Sequence, residues 1–302
     1  MAPGFLRRPR LAAAVVLLAL LAGPAPAGAA PERGGRGDDG GHHPRGRTVD
    51  YVALGDSYAS GYGGSDVVAE CGRTAFGYPA LLDALHRVDL QADATCAGAT
   101  ALATDPAPPA GPVDLPQQID TVLARGQLHR GTDLVTVTIG GNDVRFGDVV
   151  AACAGPGLPA TCAPAITGAR EYARTVLAPG LAASLQRLRD AAPQAELVVT
   201  GYPHLFEAAV PGALSVPAQE LFNAGTDELN AVISAQLPGD AVFVDVVDEF
   251  AGHGIGSPDP WIRLEGGPFD LHPNAAGYEQ GYLPAILADA SFDDRRGRHG
   301  CR

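Results

Sequence analysis

Val49-Asp50-Tyr51-Val52-Ala53-Leu54-Gly55-Asp56-Ser57-Tyr58 is the stretch on which the fold turns. Its first part, Val49 to Leu54, is mostly apolar and rich in β-branched and aromatic residues, so it reads as a short buried strand. The Gly55-Asp56-Ser57 that follows leaves a serine just past the strand's carboxyl end, where open parallel sheets place their ligands. Alone, Gly-Asp-Ser is also an ordinary turn. Four further runs read as strands: Val88–Ala94, Leu134–Ile139, Glu196–Thr200 and Ala241–Val246. Val88–Ala94 alternates polar and apolar residues and so reads as an edge strand. Helical spacing fills the intervals: Phe76–Arg87, Leu115–Arg125, Ala165–Ala191, Pro217–Gln236 and Ala275–Leu287. Pro116 suits the first turn of its helix and Gly126 the position just past its end. Pro179 predicts a kink in the third helix. Strand and helix in alternation predict an α/β fold with a parallel sheet covered by helices on both faces.

The chain has 302 residues and a net charge of −13. Arg7, Arg8 and Arg10, the apolar run Leu11–Ala22 and the small residues to Ala30 make residues 1–30 a secretory signal peptide, since the run is too short for a membrane span. Pro31–Arg47 is rich in Gly, Arg and Asp, has almost no apolar residues, and is expected to be a disordered leader. Residues 48–290 form one domain and 291–302 a flexible tail. Residues 1–47 hold seven arginines against three acids, so the domain is more acidic than the whole chain, which argues against nucleic acid as a partner. All 21 basic residues are arginine, a pattern that with the high Ala, Gly and Pro content fits codon bias. No further stretch is long enough to span a bilayer. A secreted, extracellular monomer is expected.

Cysteine usage fits export. Cys71, Cys96, Cys153 and Cys162 allow three pairings, and the sequence-local one, Cys71–Cys96 with Cys153–Cys162, is preferred. Each bridge would contribute about 2–4 kcal/mol. The spacings are irregular and lack Cys-x-x-Cys, so a zinc site is not expected. Cys301 has no evident partner. Thr104–Pro112, Cys153–Cys162 and Gly252–Gly267 read as loops, the last long enough to suggest a functional role.

Nucleophilic ester cleavage needs an activated serine, an oriented base, donors for the oxyanion and an open pocket. Ser57 is the candidate nucleophile and its backbone N–H one donor. Asn142 in Gly140-Gly141-Asn142-Asp143 follows the third strand and offers a side-chain amide. Gly98 in Cys96-Ala97-Gly98-Ala99 follows the second and offers an unobstructed backbone N–H. His272 in Phe269-Asp270-Leu271-His272-Pro273 precedes the last helix and is the candidate base. Among the other histidines, His204 and His253 could also line the pocket. Tyr58, Tyr62, Tyr78, Phe146, Phe206 and Trp261 are candidates for an acyl groove.

Taken in order, Gly55-Asp56-Ser57-Tyr58, Gly98, Gly140-Gly141-Asn142-Asp143 and His272-Pro273 resemble the four blocks of the SGNH (GDSL) hydrolase superfamily, over about Val49 to Leu287. Phe76-Gly77-Tyr78-Pro79, Thr95-Cys96-Ala97-Gly98-Ala99-Thr100, Gly252-His253 and Asp259-Pro260-Trp261 further resemble its secreted actinomycete lipases and esterases. The resemblance implies a three-layer, flavodoxin-like fold with sheet order 2-1-3-4-5. It implies hydrolysis of carboxylic esters with Ser57 as nucleophile, His272 as base and Ser57, Gly98 and Asn142 as the oxyanion hole. It implies no metal and no organic cofactor, and a small-molecule or lipid ester as substrate.

Two departures from the family pattern carry expectations. The family's acid stands three residues before the histidine, where this chain has Phe269. Asp270 is one residue out of register, and such a shift turns a side chain away in an extended segment. The Phe269 carbonyl is therefore expected to accept the His272 Nδ1–H, with the Asp270 carboxylate as the alternative. Relatives also commonly carry a third disulfide, tying the loop near Gly256 to the region after the fourth strand. This chain has none there, so a looser, more protease-sensitive loop is expected. A phospholipase or a glycan acetylesterase on the same site, or a non-catalytic binding protein on this scaffold, are the alternative functions.

Overall fold

The computed structural model describes residues 48–103 and 112–291. The expected signal peptide and leader, most of the proline-rich loop and nearly all of the expected tail with Cys301 lie outside the described residues.

Five strands form one sheet: β1 (Val49–Gly55), β2 (Val88–Asp93), β3 (Leu134–Thr138), β4 (Glu196–Thr200) and β5 (Val242–Val244). All pairings are parallel and the order is β2-β1-β3-β4-β5. Every residue of β3 and β4 is buried, as a strand covered on both faces requires. β2 alternates buried and exposed positions at the sheet edge. Polar side chains inside the sheet satisfy one another: Thr136 pairs with the Tyr51 hydroxyl, and Thr138 with those of Tyr78 and Thr200.

The helices are α1 (Ser57–Ser60), α2 (Tyr78–Asp83), α3 (Leu115–Ala124), α4 (Phe146–Cys153), α5 (Cys162–Tyr172), α6 (Ala178–Ala191), α7 (Val216–Ser234) and α8 (Leu283–Asp289). Their packing divides them into two groups. α2 meets α8 and β2, whereas α3 meets α6, and α7 meets α4, α5 and α6. The Cys153–Cys162 disulfide joins the end of α4 to the start of α5, and Cys71–Cys96 ties the loop after α1 to the end of β2.

The kink expected at Pro179 takes a specific form. α5 and α6 are one continuous helix interrupted by a π turn at Ala173–Leu177. Proline's ring collides with the carbonyl four residues back in an α-helix. That carbonyl belongs to Thr175, in the middle of the π turn, where the wider winding makes room. The last helix repeats the device: a π turn at Gly277–Tyr282 precedes Pro284. It begins at Ala275, as expected, after Asn274, whose side chain accepts the Gly277 N–H at 3.0 Å.

Several elements differ from their expected bounds. The helix expected over 76–87 is only α2, because the chain reverses through Arg87 (φ 72°) to enter β2. β5 pairs over three residues because β4 ends at Thr200. The segment expected to be loose, 252–267, is held by main-chain bonds. Ile255 donates to the Leu205 carbonyl at 2.7 Å and Glu207 donates to the Ile255 carbonyl at 2.9 Å, joining it to the region after β4. A Cβ on Gly256 would lie 3.5 Å from the Val210 Cβ, so the two segments touch without a disulfide.

Candidate active site

β1 ends at Gly55, whose φ of 131° and whose contact with Thr138 exclude a side chain: a Cβ would sit 2.3 Å from the Thr138 carbonyl oxygen. Gln118 of α3 braces this turn, accepting from Gly55 N–H at 2.8 Å and donating to Gly55 C=O at 2.9 Å. Asp56 then caps α1 by accepting the Tyr58 N–H at 2.9 Å, and Ser57 opens the helix, 4 % exposed.

Asp56 has a second partner. The Tyr202 hydroxyl donates to it at 2.5 Å and itself accepts the Gly141 N–H at 2.9 Å. One buried carboxylate thus joins the chain ends of β1, β3 and β4. Burial pushes the Asp56 carboxyl up to about 7, against the pull of its hydrogen bonds.

The His272 ring lies over Ser57. Nε2 is 2.8 Å from Ser57 Oγ and Nδ1 is 2.9 Å from the main-chain oxygen of Asp270. A carbonyl only accepts, so Nδ1 carries the proton and the Nε2 lone pair faces the serine hydroxyl. The orienting group is a carbonyl, as expected, but of Asp270 instead of Phe269. The Phe269 carbonyl accepts the main-chain N–H of His272 at 3.3 Å, closing a turn through Leu271 in the left-handed region (φ 65°). That turn aims the Asp270 carbonyl back at the ring.

The Asp270 carboxylate points elsewhere. It accepts the N–H groups of Glu265, Gly266 and Gly267 at 2.8, 3.0 and 3.2 Å, which hold it below the usual carboxylate range. Those bonds shape the turn of a hairpin whose arms pair Arg263 with Leu271 and His272. The long loop after residue 252 therefore braces the histidine.

Burial lowers the His272 pKa from 6.5, and the carbonyls of Asp270 and Phe269 oppose that only in part. Protonation fills the Nε2 lone pair, so the base works only when neutral. The acid-side midpoint of kcat/KM against pH, measured with a soluble ester, is accordingly expected below 6.5. A midpoint at or above it would contradict the buried, neutral ring.

Asn142 follows β3 and donates from Nδ2 to the Ala99 carbonyl at 2.8 Å. Asp143 accepts the Ala101 N–H at 2.9 Å, and burial pushes its carboxyl up to about 6. Both contacts clamp the loop that carries Gly98 (φ 85°) to the end of β3. One amide hydrogen of Asn142 is committed to Ala99, which orients the other. Ser57, Gly98 and Asn142 thus stand on three neighbouring loops at one end of the sheet.

Aromatic rings frame the histidine: Tyr62 at 5.0 Å, Tyr58 at 5.4 Å and Phe146 at 6.4 Å between centroids. The Tyr58 hydroxyl donates to the Leu271 carbonyl at 2.6 Å. A Cβ on Gly63 (φ 96°) would lie 2.7 Å from the Pro273 oxygen and 3.0 Å from the His272 Cβ, so this glycine fixes how close the histidine loop comes.

Beside Ser57 a small, mainly apolar pocket is lined by Tyr58, Phe146, Tyr202, Leu205, Phe222 and Leu229, among others. Of the aromatic candidates, Tyr58 and Phe146 line it. Tyr78 is core, Phe206 packs on Phe222, and Trp261 packs on Phe250 and His253. His204 pairs with Asp227 and His253 bonds the Asp259 carbonyl, so neither replaces His272 at the serine. Gln118, Tyr202, Gly63 and the α7 residues Phe222 and Leu229 carry no local signal that sequence reading could have used, and the Gly55-Asp56-Ser57 motif does not announce the bond from Asp56 to Tyr202. Among the described residues no cluster of three or more His, Cys, Asp or Glu could hold a metal, and no helix is long and apolar enough to cross a membrane.

Similarity to known proteins agrees with this geometry. The GDSL-like Lipase/Acylhydrolase family matches residues 53–280. A lipase of Streptomyces rimosus is 34% identical over 253 residues, covering 80% of this chain and 87% of that protein. Lipase 1 of Streptomyces coelicolor is 33% identical, covering 78% and 85%. The crystal structure of the extracellular lipase from Streptomyces rimosus superposes with a TM-score of 0.66, at 33% identity over 80% of this chain and all of that one. That of phospholipase A1 from Streptomyces albidoflavus NA297 gives 0.65, at 32% identity, covering 80% and 98%. A serine and a histidine in hydrogen-bond contact at the end of a 2-1-3-4-5 sheet, in a chain related over most of its length to these lipases, make this protein an ester hydrolase that belongs to the GDSL-like lipase/acylhydrolase family.

Proposed function

We propose that the protein is a secreted serine esterase or lipase that cleaves acyl esters through an acyl-enzyme on Ser57. The observation that carries the mechanism is the relay from Ser57 Oγ through His272 to the Asp270 carbonyl, at 2.8 and 2.9 Å. As Oγ bonds to the ester carbon, its proton passes to Nε2 and the carbonyl electron pair moves onto oxygen. The N–H groups of Ser57 and Gly98 and the Asn142 amide receive that oxyanion. The imidazolium then protonates the leaving alkoxide, the alcohol departs, and water repeats the cycle against the acyl-enzyme, releasing the acid and restoring Oγ–H.

Secretion rests on the apolar run in residues 1–30, the two disulfides and the likeness to an extracellular lipase. Residues 31–47 are the leader to a hydrolase domain over 48–290.

A fluorophosphonate probe tests the mechanism. It is expected to label Ser57 once per chain, located by peptide mass spectrometry, with activity on p-nitrophenyl esters lost in proportion. Labelling at another residue, or loss of activity without label at Ser57, contradicts it.

A phospholipase reading has its own support. A wide, open cleft at Asn142 has Asp143, Arg145 and Asp148 among otherwise largely apolar lining residues, charged groups that a head group could meet, and one structural relative is a phospholipase A1. Fatty-acid release from phosphatidylcholine, compared with release from a triacylglycerol, separates the two.

A further inference from the structure

The pocket beside Ser57 shares a wall with a second space. Phe146, Phe222, Thr226 and Leu229 line both, and the second space is a mainly apolar slot between α4, α5 and α7 that opens partly to solvent. Thr226 turns its hydroxyl back to the Phe222 carbonyl of its own helix, which leaves its methyl group for the passage. At the distal end, Arg170 and Arg174 both hold Glu228, at 3.1 and 2.8 Å, and pin α5 and the following π turn to α7. The slot thus lies between three helices next to the serine pocket, with a charged cluster in its lining.

Gly225 sits in this wall, in the interior of the 19-residue α7. Glycine is a poor helix former relative to alanine, so an interior glycine needs a reason. Neither usual reason holds. Its φ is ordinary, and a Cβ there would meet only the Ile166 Cγ2, at 3.5 Å, a normal contact. What the missing side chain does is leave room between α5 and α7, opposite Ala169 and Ala173.

We propose that the slot between α4, α5 and α7 takes the distal part of a long aliphatic acyl chain and that Gly225 sets how long that chain can be. This rests on Ser57 being the nucleophile. The occupant follows from the four lining residues that the slot shares with the serine pocket and from its mainly apolar walls. A chain bonded at Ser57 would enter the slot between Phe146, Phe222, Thr226 and Leu229 and extend toward the Arg170–Glu228–Arg174 cluster.

The test compares p-nitrophenyl butyrate and palmitate with the wild type, Gly225→Ala and Gly225→Leu. Each methylene forced out of an apolar site costs about fourfold. A leucine displacing at least two should lower the palmitate-to-butyrate ratio of kcat/KM by about tenfold or more, with butyrate turnover within about twofold of wild type. Alanine is expected to shift the ratio in the same direction and by less. An unchanged ratio in Gly225→Leu overturns the proposal, as does a wild type with no measurable palmitate activity. Should Gly225→Leu lose both activities together with its melting transition, Ala169→Leu on the opposite wall must show the selective loss, and an unchanged ratio there overturns the proposal equally. Ser57→Ala with undiminished hydrolysis would instead remove the underlying reading, so the two failures are distinguishable.

Discussion

Ser57→Ala is expected to lower kcat by about a millionfold, the scale seen when the nucleophile of a serine hydrolase is removed. The methyl group cannot form the acyl-enzyme, and His272 loses the proton it would take. Because Ser57 and His272 act as one unit through a 2.8 Å contact, Ser57→Ala/His272→Ala together should be no slower than Ser57→Ala alone. Asp270→Asn provides the contrast. Asparagine keeps a side-chain acceptor for the turn at 265–267 and leaves the main-chain carbonyl in place, so at least about a tenth of the activity should remain, whereas loss of a true triad acid costs about 10⁴. Steady-state hydrolysis of one soluble ester by the three variants measures all of this. A thousandfold loss in Asp270→Asn would show that the carboxylate, not the carbonyl, supports the base.

Asn142→Ala is expected to lower kcat by about 10²–10³, the usual cost of removing one oxyanion donor. The amide has a second job, since it ties the β3 loop to the Ala99 carbonyl. The two roles separate kinetically. A donor used only in the transition state lowers kcat and kcat/KM alike, whereas a collapsed Gly98 loop would raise KM. Asp143, clamped to Ala101 N–H, keeps that loop in place when Asn142 is gone, so an unchanged KM is expected. A loss of less than about fivefold in kcat would exclude Asn142 from the oxyanion hole.

The parts of this site that were legible in the sequence are those fixed by short-range pattern. β1, β3 and β4 are largely apolar, buried on both faces and bounded by turns, and Ser57, Gly98 and Asn142 each stand a few positions beyond a strand. His272 is marked by the proline that opens the next segment. What stayed hidden depends on distance or on main-chain direction. Asp56 and Tyr202 are 146 residues apart, and nothing near either announces their bond. α4 has Arg145 in the left-handed region in place of a capping side chain and a glycine at its second position, so its start carries no signal. The slot is made by α4, α5 and α7, and its key position is a glycine whose local sequence is that of any helix. The carbonyl partner of His272 was placed one residue too early because the sequence does not say that Leu271 turns left-handed.

That left-handed turn has a wider consequence. The partner of the base is a peptide oxygen, which no codon can delete and no side-chain scan can reach. What must be inherited in place of an acid is a shape: Leu271 at positive φ, held by the Tyr58 hydroxyl and by the hairpin from Trp261 to Asn274. Position 270 need keep only a side-chain acceptor for the turn at 265–267, not an acid, while substitutions at Tyr58, Gly63 or the hairpin would disarm the histidine without touching it. In a lineage of such enzymes, the third catalytic partner would leave its trace as a preserved backbone path, not as a preserved residue.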